Sequence, residues 1–394
     1  MSQFCDVIII GGGIIGNSIS AHLAESTKLK IVVINSTSLG APASIAAAGL
    51  LTPFQLHELE NPFLKDFCFK SFEYFLDFYE KIKTSLKMTD INLGFKQTGS
   101  LYLIFSNSEI PQKENGIKEF KTKVSFLNKQ ECYKIEPLLT KEVIGAYYFS
   151  NESVVNNPKF LKALMQYSQE RSIEYLNTQV TDITIKNTRI ESITLANSQT
   201  LSAKKYILCN GAWADILLAK IFNKHENIIS AVKGEILQVE AVNGLPLERI
   251  MFCKEGYVLP RPATNAFEKD SILVGSTFDE SDIKENKNLF KNTISGISFL
   301  SGLFKTIFPE CKDYPVVDFW SGLRPKTKDN LPILGKAEEI DNLFLALGHY
   351  RNGILMGPLT GKIISDLVLG NTVEHNIEPF KIERFFKSLV NINH

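Results

Sequence analysis

Three glycines near the start of the chain are spaced to handle phosphate. Gly11, Gly13 and Gly16 fit G-x-G-x-x-G directly after the apolar run Val7-Ile8-Ile9-Ile10. In this spacing the first glycine permits a tight turn and the second lets backbone approach a pyrophosphate. The third lets the following helix lie close to the strand. A helix N-terminus then presents N–H groups and a positive dipole end to the phosphates. Ile15, Ile19 and Leu23 continue at helical spacing, so the context is strand, turn and helix. The pattern reads as a dinucleotide site; an ordinary glycine-rich turn requires neither the flanking strand nor the helix.

Two later stretches extend this chemistry. Lys30–Asn35 is a second short apolar strand, which completes a β-α-β unit and calls for a parallel sheet. Such units usually carry Asp or Glu at the end of the second strand to hold ribose hydroxyls. Here that position is Asn35, which can donate and accept but lacks the charge that rejects a 2′-phosphate. A plain strand-end residue is the alternative. Ala41–Pro53 is dominated by small residues, so its backbone can lie close to a bound cofactor or pack a helix tightly on the sheet.

The elements that must position these groups alternate between two types. Helical patterns cover Pro62–Lys87, Pro158–Arg171 and Ile354–Leu369, and a further one covers Asp282–Phe308. Strands are expected at Gly99–Phe105, in a meander over Gln179–Leu201, at Tyr206–Cys209 and at Leu343–Gly348. Gly234–Glu240, Gly256–Pro260 and Ser271–Thr277 form a β-rich block of antiparallel character. That block is inserted between pieces of an α/β domain. The fold class is therefore α/β, with a Rossmann-type nucleotide domain and an inserted β-rich substrate domain. The expected boundaries are 1–85, 150–222 and 325–380 for the first, and 86–149 and 223–324 for the second.

Composition narrows the function classes. The 394 residues suffice for two domains with sizeable cores, and 43 basic residues balance 43 acidic ones. Zero net charge argues against a broad nucleic-acid surface. No apolar run reaches the length of a membrane span, and no signal peptide is recognisable at the N-terminus. The six cysteines are scattered without C-x-x-C, and the six histidines form no H-x-x-x-H pair. Free thiols in the cytoplasm and no metal site are expected. Oligomeric state is not fixed, and a homo-oligomer is compatible with the sequence.

At the level of whole segments the chain resembles the D-amino-acid oxidase superfamily of FAD-dependent amine oxidases, and most closely the glycine oxidases of thiamine biosynthesis. The resemblance is carried by the glycine motif, Ala43–Gly49, Ser321–Gly335 and Gly348–Leu355, with lesser matches at Lys233–Leu237 and Gly211–Trp213. It implies a non-covalent FAD held by Ile14, Ile15, Asn35, Ser44, Ala48, Gly49, Leu50, Val180 and Gly211. The turn His349, Tyr350, Arg351, Asn352, Gly353, Ile354 and Leu355 would hold the flavin end. Some relatives attach flavin through a cysteine near the C-terminal motif, whereas the nearest in this sequence is Cys311. Three departures stand out. Asn35 replaces the usual Glu, and Leu50 and Phe278 stand where a branch of glycine oxidases has Met.

The resemblance also implies a reaction: hydride transfer from a small amino acid or amine to flavin N5. An imine forms and hydrolyses to a 2-oxo acid such as glyoxylate, with oxygen as acceptor and hydrogen peroxide as product. Such chemistry needs no catalytic His or Glu, because the cofactor performs the hard step and the protein orients the substrate. It does need a carboxylate anchor, and a guanidinium fork suits one. The resemblance puts Arg324 in that role, with Tyr257 giving a phenol hydrogen bond. Arg351 would touch substrate or flavin. As plain structure, these three would be an interface ion pair, a half-buried sheet aromatic and a solvated turn residue. His349 is read as backbone-orienting or reactive, and Trp213 as packing near the cofactor. A dehydrogenase passing electrons to a quinone, a wobble-uridine-modifying oxidoreductase of tRNA and a flavoprotein without catalysis remain as alternatives.

Overall fold

A computed structural model describes residues 3–26, 28–37, 42–54, 61–110, 124–223, 227–242, 247–265, 268–280 and 290–386. Strand β1 (Gln3–Ile10), helix α1 (Ile14–Ser26) and strand β2 (Ile31–Asn35) build the expected unit, and β1 pairs β2 in parallel. Glu174–Asn177 lies beyond β2, and Thr200–Leu208 and then Leu343–Leu347 lie on the other side of β1; these five strands pair in parallel, while Arg189–Leu195 and Ile333–Lys336 add antiparallel pairs to Thr200–Leu208 and Leu343–Leu347. Both faces are apolar because helices cover both. On one face α1, Pro62–Ser85, Asn157–Gln169 and Gly353–Leu369 pack together. Gly361 allows the closest helix approach there, since a Cβ at this position would lie 2.7 Å from the backbone carbon of Ser18.

The chain leaves β1 toward β2, and later returns on the opposite side of β1 through Thr200–Leu208. That reversal is a switch point, where the strand ends diverge and open a crevice. Ile10 and Leu208 face each other at the two carboxyl ends, so Gly11 and Cys209 both enter the crevice.

The second sheet has eight strands in the order Val316–Thr327, Ile229–Glu240, Ser271–Gly275, Gly256–Arg261, Ile250–Cys253, Ser100–Ile104, Gly145–Phe149 and Val124–Asn128. All neighbours are antiparallel except Ile250–Cys253 with Ser100–Ile104, which run parallel. The expected border at 324/325 falls inside Val316–Thr327, a continuous strand paired along Ile229–Glu240. The helix expected from Asp282 is observed at Ile294–Ile307, and 281–289 lie outside the described residues. Four strands of this sheet went unrecognised in the sequence: Val124–Asn128, Gly145–Phe149, Ile250–Cys253 and Val316–Thr327. The first is a half-exposed edge strand with little alternation. The third is uniformly buried and short, a pattern that periodicity does not resolve.

One buried acid gives the fold a pH signature. Glu152 accepts hydrogen bonds from the Phe54 N–H and the Ser100 hydroxyl, and burial pushes its carboxyl up from 4.5 to about 8. The folded state therefore keeps a proton that the unfolded chain releases at lower pH, so stability falls as pH rises between those values. Glu152→Gln is expected to flatten this decline in thermal melts taken at pH values across the window. An unchanged pH slope would remove Glu152 from the account.

Candidate active site

The crevice opens into a cavity of about 700 Å³ that runs from the glycine turn to the second sheet. At the first end, Gly11 has φ +119°, and a Cβ on it would lie 2.4 Å from the Cys209 carbonyl oxygen. Only glycine permits this approach of two strand ends. The Gly12 N–H donates to Asn35 Oδ1 at 3.1 Å, and the Ile14 N–H donates to Ser44 Oγ at 2.9 Å. Asn35 thus braces the glycine turn with its oxygen. Its amide nitrogen is a donor, where a carboxylate would offer acceptors to ribose hydroxyls. The Ser44 hydroxyl, acting as acceptor, keeps its own hydrogen for a further partner.

The small-residue segment forms a wall of the cavity, and its carbonyls are held from behind. Asn157, fully buried, donates to Ser44 O at 2.6 Å and to Ile45 O at 3.1 Å. The Trp320 indole N–H donates to Ala46 O at 2.9 Å, and Arg261 donates to Ala48 O at 3.4 Å. Gly49 has φ +82° and lies so close to Val155 O that a Cβ would be 1.9 Å from it. None of these bracing side chains stands near Ser44–Ala48 in sequence, which is why the sequence alone did not reveal them.

At the second end Arg324 and Tyr257 come together. Arg324 donates to Ser276 Oγ at 2.6 Å and to Thr277 O at 3.5 Å. Among the described residues it makes no ion pair with a carboxylate. Burial pulls the guanidinium below its ordinary value, the Tyr257 phenol opposing this and Arg351 adding to it. Burial raises the Tyr257 hydroxyl, and the Arg324 charge opposes that rise. Gly234 makes room for Arg324: a Cβ there would lie 2.1 Å from one guanidinium nitrogen and 2.2 Å from the other.

The mouth is aromatic and cationic. Arg351 lies 5.8 Å from the ring centre of Phe278 and 5.1 Å from that of Tyr350. Lys326 approaches the same two rings at 5.9 and 5.7 Å. These distances are within cation–π range. His349 is buried, its Nε2 is 3.0 Å from the Thr360 hydroxyl, and burial lowers its pKa to about 3. A neutral ring tied to Thr360 orients the turn and is not placed to exchange protons.

Most residues singled out in the sequence line this one cavity: Gly11, Gly13, Ile14, Ile15, Asn35, Ser44, Ala48, Gly49, Leu50, Val180, Gly211, Tyr257, Arg324 and His349–Ile354. Two do not. Gly16 lies one helical turn on, where a Cβ would strike Gly11 O at 1.9 Å, so its role is to let α1 seat on β1. Leu355 turns into the core between the helix Gly353–Leu369 and the sheet, with 1 % exposure. Ser276, Phe252 and Tyr102 line the cavity without having been picked out in the sequence, and Gly234, read there only within a lesser match, lines it as well. Trp213 lines it too. In space, Cys209 and Cys253 are the lining cysteines, whereas Cys311 is packed in the second-sheet core. Burial raises both lining thiols, Cys253 to about 11, so neither forms a nucleophilic thiolate readily.

The lining chemistry fits a long, anionic, partly flat ligand. Glu255 is the sole carboxylate among the described lining residues, and it belongs to the hairpin turn beside Tyr257, away from Gly11–Ile15. The glycine turn is therefore a cradle without opposing negative charge. Asn210 Oδ1 beside it is buried with no partner, an acceptor left for a donor on a ligand. No helix among the described residues is long and apolar enough to cross a membrane.

Known proteins resemble the chain over nearly its whole length. Residues 6–367 match the family model described as FAD dependent oxidoreductase. The chain is 32 % identical over 390 residues to a bifunctional protein ThiO/ThiG of Synechocystis, covering 98 % of this chain but 55 % of that protein. It therefore spans about half the length of such bifunctional relatives. It is 31 % identical over 391 residues to a glycine oxidase of Bacillus licheniformis, covering 98 % of each. The crystal structure of glycine oxidase from Geobacillus kaustophilus superposes with a TM-score of 0.86 at 28 % identity, covering 97 % of this chain and 99 % of the other.

Proposed function

Because the chain belongs to the FAD-dependent oxidoreductase family, we propose that it oxidises glycine or another small amino acid or secondary amine at Cα, with oxygen as the final acceptor. The products would be a 2-oxo acid, glyoxylate from glycine, and hydrogen peroxide. The observation that carries this reading is the partly buried Arg324 guanidinium, which lines the cavity with Tyr257 and makes no ion pair with a carboxylate among the described residues. A buried cation is costly unless paired, and a substrate carboxylate supplies the pair.

The residues divide the work by position. The turn Gly11–Ile15, with Asn35 and Ser44, would hold the pyrophosphate and ribose of FAD. The wall Ala46–Leu50 and the turn His349–Ile354 would flank its ring. Bound there, FAD supplies the oxidant that takes a hydride from the substrate. Arg324 would grip the carboxylate through its planar fork, which fixes distance and rotation together. The Tyr257 hydroxyl would donate to the same carboxylate. With the carboxylate held, Cα is set by covalent geometry, and orientation becomes the protein's main contribution to rate. The apolar residues Leu50, Phe252, Phe278 and Tyr102 limit the space around the substrate. No base is required if the amine binds neutral, which agrees with the tethered, neutral His349. We place the activity in thiazole formation for thiamine, a role supported by the likeness to the ThiO/ThiG proteins.

The test is anaerobic bleaching of the flavin absorbance with glycine, sarcosine, D-alanine, D-proline and L-amino acids in turn. Glycine or sarcosine is expected to bleach fastest, and air should restore colour with release of peroxide. Absence of bleaching by every member would refute the proposal. Bleaching without peroxide on aeration would point to a different electron acceptor.

A further inference from the structure

Lys233, Gly234 and Glu235 lie consecutively on the strand Ile229–Glu240. Side chains alternate along a strand, so Gly234 faces the cavity while Lys233 and Glu235 face away from it. Both charged residues are buried, with Lys233 Nζ 3.1 Å from Glu235 Oε1. The Glu235 carboxylate is further satisfied on every side. It accepts from the Thr293 N–H at 2.6 Å, from the Thr293 hydroxyl at 3.1 Å and from the Thr277 hydroxyl at 3.3 Å. Thr277 Oγ1 in turn accepts from the Glu235 N–H at 2.9 Å. Space for the carboxylate comes from Gly296 in the first turn of the helix Ile294–Ile307, where a Cβ would lie 1.8 Å from Glu235 Oε2.

The contact with Thr277 matters because of what Ser276 and Thr277 do on the other side. Their Oγ and carbonyl oxygen are the two acceptors that hold Arg324. Lys233 fastens the same segment one step further on, exchanging backbone hydrogen bonds with Asp279 at 2.8 and 3.1 Å. Arg324 itself sits over Gly234, between the two charged residues in sequence. The guanidinium is thus aimed by a segment that is clamped from behind by a buried, fully bonded carboxylate.

We propose that Glu235, through Thr277, is a positioning residue for substrate binding: it fixes the Ser276–Thr277 segment so that the Arg324 fork points into the cavity. A bidentate contact is sensitive to angle, so loosening this segment weakens carboxylate binding while leaving cofactor binding alone. The inference rests on the reading of Arg324 as the carboxylate anchor.

The test uses the FAD-loaded enzyme and acetate, an amine-free carboxylate, titrated at constant ionic strength and followed by the flavin spectrum. Thr277→Val and Glu235→Gln are expected to raise the acetate Kd and the amino-acid KM together by about 5- to 20-fold, as for a lost buried hydrogen bond. In both variants kcat should change far less and FAD content should stay the same. Thr277→Ser, which keeps the hydroxyl, should restore both constants. If Glu235→Gln does not accumulate as folded holoenzyme, Thr277→Val decides, because it leaves the Lys233–Glu235 pair in place. Acetate Kd and KM unchanged in Thr277→Val, whatever its melting temperature, would overturn the proposal. Arg324→Lys serves as the control: loss of acetate binding there, with none in Thr277→Val, discards the positioning role alone. Unchanged acetate binding in Arg324→Lys discards the anchor, and the inference with it.

Discussion

Arg324→Ala is expected to lower kcat/KM for the amino acid by roughly 10- to 150-fold, which corresponds to a lost charge-assisted contact of about 1.5–3 kcal/mol. FAD content should barely change, because the Arg324 side chain bonds to Ser276 and Thr277 and to neither the glycine turn nor the wall Ser44–Gly49. The size of the effect follows from burial. The guanidinium is partly buried, and in the folded protein its bonds go to one hydroxyl and one carbonyl, both neutral. A carboxylate entering the cavity would meet a positive charge poorly screened by water, and the attraction is correspondingly strong. Truncation leaves Ser276 Oγ and Thr277 O without their donor, which adds to the loss. KM should carry most of the change if the carboxylate is held equally before and during hydride loss. A parallel fall in kcat would mean that the fork also sets the reacting geometry. Steady-state oxygen uptake with anaerobic single-turnover rates separates the two, and normal turnover would remove Arg324 from the site.

The same arginine shows what was legible in the sequence. Its neighbourhood Gly322–Pro325 carries a local pattern, and so does the glycine turn; each is a contiguous motif. What holds them is not contiguous. Ser276 reaches Arg324 from 48 residues away, and Asn157 braces Ser44 from 113 residues away. Neither residue is unusual in type, so only the pairing of strands reveals them. Gly234 is a similar case: in the sequence it is one residue of a lesser match, whereas across the sheet it is the space that Arg324 occupies. Strand pairing also bears on the domain border. The expected border at 324/325 cuts a strand whose backbone pairing with Ile229–Glu240 continues to Thr327. Conversely, Asn35 was readable as a replacement for an acid, while its bond to Gly12 was not. That bond makes Asn35 a brace of the phosphate turn as well as a candidate for ribose.

A second large effect is expected at Gly16, although this residue does not line the cavity. Gly16→Ala is expected to weaken FAD binding by about 10- to 100-fold and to lower the melting temperature by several degrees, as overpacking of about 1–3 kcal/mol would. A Cβ at this position would lie 1.9 Å from Gly11 O and 3.1 Å from Cys209 Sγ. The first obstacle is backbone, so no rotamer change relieves it. Either α1 lifts from β1 or the Gly11 turn opens, and both displace the N–H groups that would meet the pyrophosphate. Titration of apoprotein with FAD measures the first effect, and melts with and without FAD measure the second. If the turn is the part that gives way, added FAD should raise the melting temperature less than in the wild type, since ligand stabilisation follows its affinity. Gly302→Ala is the matched control. A Cβ there meets nothing within 4 Å, and the position is inside the helix Ile294–Ile307, where alanine is favoured over glycine. It should leave FAD affinity unchanged and leave stability equal or higher. Wild-type FAD affinity in Gly16→Ala would mean that the turn tolerates the displaced helix, and the phosphate cradle would then need another set of donors.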